Sequence, residues 1–445
     1  MEEAEVIIQK LSKKGDGIGF INDTKVEVPR TIIGDTVVAE LYRKRRGVRR
    51  GKLLKVVKPS EDRVDVKCKH ALFCGGCSLQ QMAYTSQLKY KENFVRQIFS
   101  DYNDIELRPI LFSDCWQYRN KMEFTFSENR AGMRYLGLMM GKMSRFVFNL
   151  EECFLASSWF SDTLASVRSW WNKNLALSAY NVINNTGVLK NLTLRESFST
   201  KQKMVILTIV NNDLVPDQIQ ALVEAIGDRD VSIYVRKMTV AKKMATQVQD
   251  IHIHGPKTIE EVLNIFGKNF RFTIGPSSFF QPNTMCAKLI YEKALSLIAN
   301  QKQNIVFDLY AGASTLGILF SSFANEVIGI EENAQAVNDG RNNINLNNIN
   351  NITLHVGDVG DILQNISIRD PDLVILDPPR AGLNLKAISS LLRLAPKKII
   401  YISCNPLTQH ENIKELKGYA LKSLQPVDQF PHTYHVENIA YLVRM

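Results

Sequence analysis

The sequence predicts an α/β chain: a mostly parallel, helix-covered C-terminal sheet, preceded by a small N-terminal antiparallel β-barrel and a mixed α+β central region. Three observations carry this. After residue 271, apolar β-rich runs recur at 305–309, 327–330, 352–356, 373–376 and 399–402, separated by helical stretches. Strands that read as continuous apolar runs are buried on both faces, as parallel strands are. Residues 1–59 instead hold short alternating segments punctuated by glycine, the pattern of a small barrel. The chain has 445 residues, too many for one core, so two or three domains are expected. The divisions fall at 1–59, 60–270 and 271–445.

The first segment reads as strands at 4–11, 24–28, 36–42 and 52–57, with a glycine turn at Gly15–Gly19. Its charge is informative. Residues 1–60 supply +6 of the net +10, and seven basic side chains crowd positions 43–52. A solvated hairpin accounts for some of this, but a ridge formed by Arg43, Lys44, Arg45, Arg46, Arg49 and Arg50 matches a phosphate backbone better. No apolar run approaches the roughly 18–20 residues that span a bilayer. The start, Met-Glu-Glu-Ala-Glu, lacks the basic flank and apolar stretch of a secretory signal, so a cytoplasmic protein is expected.

The central region opens on Cys68, Cys74 and Cys77, with Cys153 downstream, then a helix predicted over 79–99 and strands near 121–126 and 204–210. In a reducing compartment such a cluster means metal or redox chemistry more often than disulfides. Four thiolates suit zinc or an iron–sulfur cluster, and spacing does not choose between them; His70 offers an alternative nitrogen ligand. Trp170 and Trp171 read as core, and Cys115 and Cys286 as buried thiols.

In the C-terminal part the strand ends matter, because ligands of parallel sheets sit there. The first strand runs into Asp308-Leu-Tyr310-Ala-Gly312-Ala-Ser314-Thr315, a tight turn opening a helix. The next strands end at Glu331, Asp358 and Asp377-Pro-Pro-Arg380. Glu331 can accept ribose hydroxyls, as the acid in dinucleotide folds does. NAD and S-adenosylmethionine both satisfy this layout. The turn lacks the G-x-G-x-x-G spacing that admits a pyrophosphate, which favours the phosphate-free S-adenosylmethionine. Further on, Ser403-Cys404-Asn-Pro406 releases a cysteine from a strand end into a turn, and Glu437 follows Phe430-Pro-His-Thr-Tyr-His-Val436. A thiol and a carboxylate so placed make a nucleophile and a base.

Together, Phe279-Phe-Gln281-Pro-Asn283, Asp308–Gly312, Asp377–Gly382, Ser403–Pro406 and Asp428–Glu437 resemble the bacterial RNA 5-methyluridine methyltransferases in order and spacing. The segment Val28–Asp35, with the strand and basic loop after it, resembles a TRAM domain, an OB-like RNA-binding module. The resemblance implies a Rossmann-like methyltransferase domain at 271–445 and an OB-like barrel at 1–59. It implies that Gln281, Tyr310, Glu331 and Asp377 bind S-adenosylmethionine, with Gly312 in the turn and Thr315 and Asp358 at neighbouring contacts. It further implies Cys404 as nucleophile, Glu437 as base, and a [4Fe–4S] cluster on Cys68, Cys74, Cys77 and Cys153. Two departures stand out: Ser314 replaces a second glycine common in the family, and Gln409-His410-Glu411 replaces a usual Arg-Asp pair.

That chemistry has a physical rationale. Uracil carbon 5 is too weak a nucleophile to take a sulfonium methyl directly; thiolate addition at carbon 6 makes an enolate that can. Removing the carbon 5 proton afterwards needs a base, worth roughly 10²–10⁴-fold. The target base must be flipped out of RNA structure, and Phe279, Phe280 and Phe430 either stack on it or pack the core. The expected partner is RNA, large-subunit ribosomal RNA ahead of transfer RNA, with no membrane and no need of more than a monomer. Two competitors are a non-catalytic RNA-binding or ribosome-assembly protein, which intact Cys404 and Glu437 argue against, and a DNA cytosine methyltransferase, which the TRAM-like segment argues against.

Overall fold

The computed structural model describes residues 2–141, 146–227, 230–241, 244–298, 301–367 and 370–445. The N-terminal strands Glu2–Ile7, Lys10–Leu11, Gly17–Ile21, Thr24–Val28, Thr36–Leu41 and Val48–Lys58 form one six-stranded sheet. Alternation decides which face is covered: Val6, Ile8, Val26, Val28, Val37, Ala39 and Leu41 make a small core. The pairs are antiparallel except Thr24–Val28 against Val48–Lys58, which run parallel. The basic strand bends back on itself at Arg46-Gly47, both at positive φ, bridging Arg45 to Val48. Positive φ at both central residues is the two-residue hairpin geometry that follows strand twist.

The central sheet has seven strands, with Lys121–Glu128, Leu189–Glu196, Lys203–Val210 and Ser232–Thr239 adjacent in that order. Helices Ser158–Lys173 and Pro216–Ile226 cover one face, burying Phe124, Phe126, Phe160, Leu192 and Leu194 with Trp170 and Trp171. The two tryptophans are core, each indole N–H donating to a backbone carbonyl. On the opposite face Met204, Ile206 and Tyr234 join the hairpin Ile259–Ile265/Lys268–Ile274 and the helix Thr284–Ser296 in a second core.

The C-terminal sheet has eight strands, in the order Ile352–Val356, Ala324–Glu331, Gln303–Leu309, Leu373–Leu376, Lys398–Ser403, Glu437–Arg444, Tyr419–Val427 and Glu106–Leu107. The first five are parallel, and Glu437–Arg444 is antiparallel to both its neighbours. Adjacent residues enter opposite cores: Val306 and Ile375 one, Phe307 and Val374 the other. That two-sided burial is why these strands read as unbroken apolar runs. The chain builds outward from Gln303–Leu309 in one direction and then the other, so a switch point opens between that strand and Leu373–Leu376.

Packing crosses the divisions expected from sequence. The helix Tyr84–Ile98 buries Leu88 and Val95, with Phe99, in the C-terminal core, and Glu106–Leu107 is an edge strand of that sheet. Residues 84–107 thus belong by packing to the C-terminal unit, although the chain reaches it only about 200 residues later.

Candidate active site

The switch-point crevice is a cavity of about 370 Å³. Gln281, Tyr310, Gly312, Thr315, Glu331, Asp358 and Asp377 all line it. The turn after Gln303–Leu309 is strained in a useful way. Tyr310, Gly312 and Ser314 all have positive φ, and the Ala311 N–H donates to the Ile330 carbonyl while the Ser314 N–H donates to the Ala311 carbonyl. A Cβ on Gly312 would meet open space; that glycine serves the backbone angle rather than room. Ser314 keeps the left-handed angle and is fully buried, its Oγ without a partner among the described residues.

The three acids differ in their work. Glu331 accepts from the Gly312 N–H (2.9 Å) and the Asn333 N–H (2.8 Å), which bolts the turn to the neighbouring strand. Asp358 caps the helix Val359–Asn365 by accepting from the Asp361 N–H, and still borders the cavity. Burial pushes Asp377 up to about 7. Asp308, one turn behind, is also raised to about 7 by burial while it accepts from the Gly317 N–H.

Strand register brings the reactive pair together. Ser403 faces Asn438 in the last pair of the antiparallel ladder, so Cys404, the first residue beyond one strand, and Glu437, the first residue of the other, leave the ladder at the same end. Burial pushes the Cys404 thiol up to about 11, the Glu437 charge adds to this, and Arg380 opposes it. Glu437 rises to about 8 through burial and the nearby Asp377, again opposed by Arg380. Burial thus favours the neutral thiol and the protonated carboxyl over a preformed thiolate. Arg380, to which sequence assigned no role, is the cation that both groups sense. Its guanidinium lies 3.0 Å from His435 Nδ1, and its carbonyl accepts from Asn405 and Thr408.

Gln409, one of the residues departing from the family pattern, has a definite place. Its buried amide donates to the Tyr401 and Asn438 carbonyls and accepts from the Asn438 side chain. It staples the two strands that present Cys404 and Glu437. His410 pairs with Asp101 at 2.8 Å instead.

The segment leading to Glu437 is held from outside its own sheet. Tyr84, Gln87 and Lys91 share one face of the helix Tyr84–Ile98. Lys91, fully buried, donates to the Asp428 carboxylate and to the Phe430 carbonyl; Tyr84 donates to the other Asp428 oxygen. Gln87 accepts from the His432 N–H, and the N–H groups of Ser78 and Leu79 both donate to the His432 carbonyl. Periodicity gave no hint of this grip, because a lysine at a buried helical position reads as surface. Of the three phenylalanines, Phe279 is 63% exposed, Phe280 packs in the core and Phe430 is half-buried, so Phe279 alone presents a free ring.

Cys68, Cys74, Cys77 and Cys153 line a second cavity, of about 480 Å³. Burial raises all four thiols, Cys77 to about 12 and Cys153 to about 11. Arg30 donates to the carbonyls of Cys74 and Cys77. Among the described residues no three His, Cys, Asp or Glu side chains converge on one ion-sized point. Cys286 is buried as expected, its thiol donating to the Asp428 carbonyl; Cys115 is only half-buried, because it sits on a cavity wall. In the N-terminal sheet Arg43, Lys44, Arg45, Arg46 and Arg50 are exposed, whereas Arg49 pairs with Glu2 at 2.7 Å.

Comparison with known proteins agrees with this geometry. The family model for tRNA (uracil-5-)-methyltransferase matches residues 83–445. An uncharacterized RNA methyltransferase of Protochlamydia amoebophila is 41% identical, over 94% of this chain and 99% of its own length. One from Chlamydia trachomatis is 35% identical, over 85% and 98%. Among solved structures, the Pyrococcus abyssi tRNA (uracil-54, C5)-methyltransferase in complex with S-adenosyl-L-homocysteine superposes with a TM-score of 0.78 at 26% identity, covering 99% of this chain and all of that one. The chain belongs to the tRNA (uracil-5-)-methyltransferase family and is an S-adenosylmethionine-dependent RNA methyltransferase.

Proposed function

We propose that the chain methylates carbon 5 of a uridine in large-subunit (23S) ribosomal RNA, with Cys404 as nucleophile and Glu437 as base. The observation that carries this is that Cys404 and Glu437 emerge at the same end of one strand pair and Cys404 feels the Glu437 charge, with Asp377 beside both and on the wall of the donor cavity. Bound S-adenosylmethionine supplies an electrophilic methyl group, held by Gln281, Tyr310, Gly312, Thr315, Glu331, Asp358 and Asp377. Cys404 loses its proton to solvent and forms a bond from Sγ to carbon 6 of the flipped uridine, the carbon 5–carbon 6 π electrons moving into an enolate. Carbon 5 of that enolate would take the methyl group, the broken carbon–sulfur bond leaving its electrons on S-adenosylhomocysteine. Glu437 then removes the carbon 5 proton, the carbon 5–carbon 6 double bond re-forms and Cys404 leaves as thiolate. Arg380 favours the ionised forms of both residues, and the exposed Phe279 ring offers a stacking surface for the extruded base.

The TRAM-like N-terminal sheet, read as an OB-like barrel, and its basic hairpin of Arg43, Lys44, Arg45, Arg46, Arg49 and Arg50 would hold the RNA backbone. Cys68, Cys74, Cys77 and Cys153 would hold a [4Fe–4S] cluster, a fit supported by one cavity lined by all four thiols, Cys74 buried and the others partly buried. Its role would be structural, since methyl transfer moves no net electrons. Brown colour and broad visible absorption in anaerobically purified protein are expected; a colourless protein with stoichiometric zinc would overturn the assignment. The reading implies a cytoplasmic enzyme that works as a monomer.

A second reading, a transfer RNA uridine, is favoured by the full-length likeness to the Pyrococcus abyssi enzyme. Mass-spectrometric mapping of 5-methyluridine in both RNA classes from a deletion strain decides between them: loss from ribosomal RNA supports the first, loss from transfer RNA the second.

A further inference from the structure

A third cavity, of about 440 Å³, lies in the central region, and none of the catalytic, donor-binding or cluster residues assigned above lines it. Its size falls in the roughly 300–1,000 Å³ range of small-molecule sites. Two of its walls are the backs of active-site segments. Asn120 lines it and donates through Nδ2 to the Gln281 carbonyl (2.8 Å), while its N–H donates to the Pro282 carbonyl (2.9 Å). Tyr118 donates from its hydroxyl to the Pro431 carbonyl (3.2 Å), and the Trp116 ring lies 4.0 Å from that of His432. The cavity is thus one strand of chain away from the donor pocket on one side and from the segment ending at Glu437 on the other.

Its remaining wall carries a different chemistry. Phe198 is 38% exposed, and the Lys201 ammonium lies 4.8 Å from its ring centre. Glu196 accepts from the Ser157 hydroxyl through one carboxylate oxygen, and its other oxygen has no partner among the described residues. Gln117 and Lys201 both border the cavity at φ +51° and +59°, an angle that long side chains rarely adopt and that clusters at binding sites. An exposed ring beside a cation is what a nucleotide needs: a stacking face for the base and a counter-charge for its phosphate. A carboxylate facing the same space selects bases that present N–H donors. Guanine fits best, because its N1–H and N2–H groups point the same way and can share one carboxylate; uracil has no amino group.

We propose that this cavity is a second nucleotide subsite, which takes an unpaired, amino-bearing base, guanine by preference, from the RNA strand next to the target. The proposal rests on the RNA uridine methyltransferase reading above and deepens it: target choice is set partly by a neighbour held outside the catalytic pocket. Single-stranded RNA is read in this way, by splayed bases stacked on aromatic rings and bonded along their Watson–Crick edges.

The test uses the full-length protein saturated with S-adenosylhomocysteine, so that the donor pocket is filled. Isothermal titration with the four ribonucleoside 5′-monophosphates, run on the wild type and on the variants Glu196→Gln and Phe198→Ala, separates the subsite from the pocket of the target uridine. GMP should bind at least about fivefold tighter than UMP, within the range that stacking and a carboxylate contact supply. Glu196→Gln should erase that preference, and Phe198→Ala should weaken GMP about fivefold or more; neither residue belongs to the catalytic machinery or the donor pocket. Equal binding of GMP and UMP by the wild type, or a preference that survives both substitutions, overturns the proposal. A protein with the guanine preference that makes no 5-methyluridine refutes the reading above and leaves the subsite standing. One that methylates RNA without the preference refutes the subsite alone.

Discussion

Glu437 and Cys404 sit where burial works against charge, and this sets the pH dependence of the reaction. Glu437 is raised to about 8, so at neutral pH much of it carries a proton, and the form that can act as a base grows as pH rises. Cys404, raised to about 11, likewise gains thiolate with rising pH. For both groups the sign is the same. The kcat/KM of the enzyme should climb from pH 6 to pH 9, more steeply below about pH 8 than above it, as Glu437 and then Cys404 alone continue to ionise; a profile flat across that range would contradict the assignment of Glu437 as base. Cys404→Ala should lower methyl transfer by at least about 10³-fold, since a lost nucleophile removes the whole covalent route, while leaving cofactor binding in place by calorimetry. Cys404 and Glu437 were legible in the sequence because each closes a short phrase with few other uses. Arg380 was not, although it stands in the phrase Asp377-Pro-Pro-Arg380, because its effect depends on two groups that approach it only in the folded chain. The raised thiol was hidden for the same reason: burial is a property of the neighbours.

Among elements, the helix Tyr84–Ile98 and the segment Asp428–His432 are joined by a fully buried ion pair whose members are 337 positions apart. Removing one partner of such a pair leaves an uncompensated buried charge. Lys91→Met should destabilise the protein by about 3–5 kcal/mol in urea unfolding, whereas Lys91→Met combined with Asp428→Asn should recover much of the loss. A single substitution that costs less than about 1 kcal/mol would show that the pair does not anchor the segment. The five parallel strands were legible to within two or three residues at each end, since two-sided burial writes itself into composition. The allegiance of residues 84–107 was not: the helix has an ordinary amphipathic pattern, and nothing local says which sheet its apolar face meets. Gln409 is similar. Its flanks read as a departure from a family pattern, and only the strand pairing reveals a staple between Tyr401 and Asn438.

At the scale of the molecule, substrate grip is expected to come from charge at one end and chemistry at the other. Arg43, Lys44, Arg45, Arg46 and Arg50 project from the N-terminal sheet, while the reactive pair lies at the strand ends of the C-terminal one. Replacing Arg43, Lys44, Arg45 and Arg46 by Ala should weaken RNA binding about tenfold or more and reduce the slope of log K against log salt by about 0.7 for each phosphate that the protein no longer neutralises. An unchanged slope would mean that the ridge is only solvated surface. The central claim concerns the covalent route, and its most direct test is Glu437→Gln incubated with S-adenosylmethionine and substrate RNA, then run on a denaturing gel. The account predicts a protein band shifted by bound RNA, because Cys404 still adds to carbon 6 but the carbon 5 proton cannot be removed. No shifted band, with methyl transfer proceeding at the wild-type rate, would contradict it.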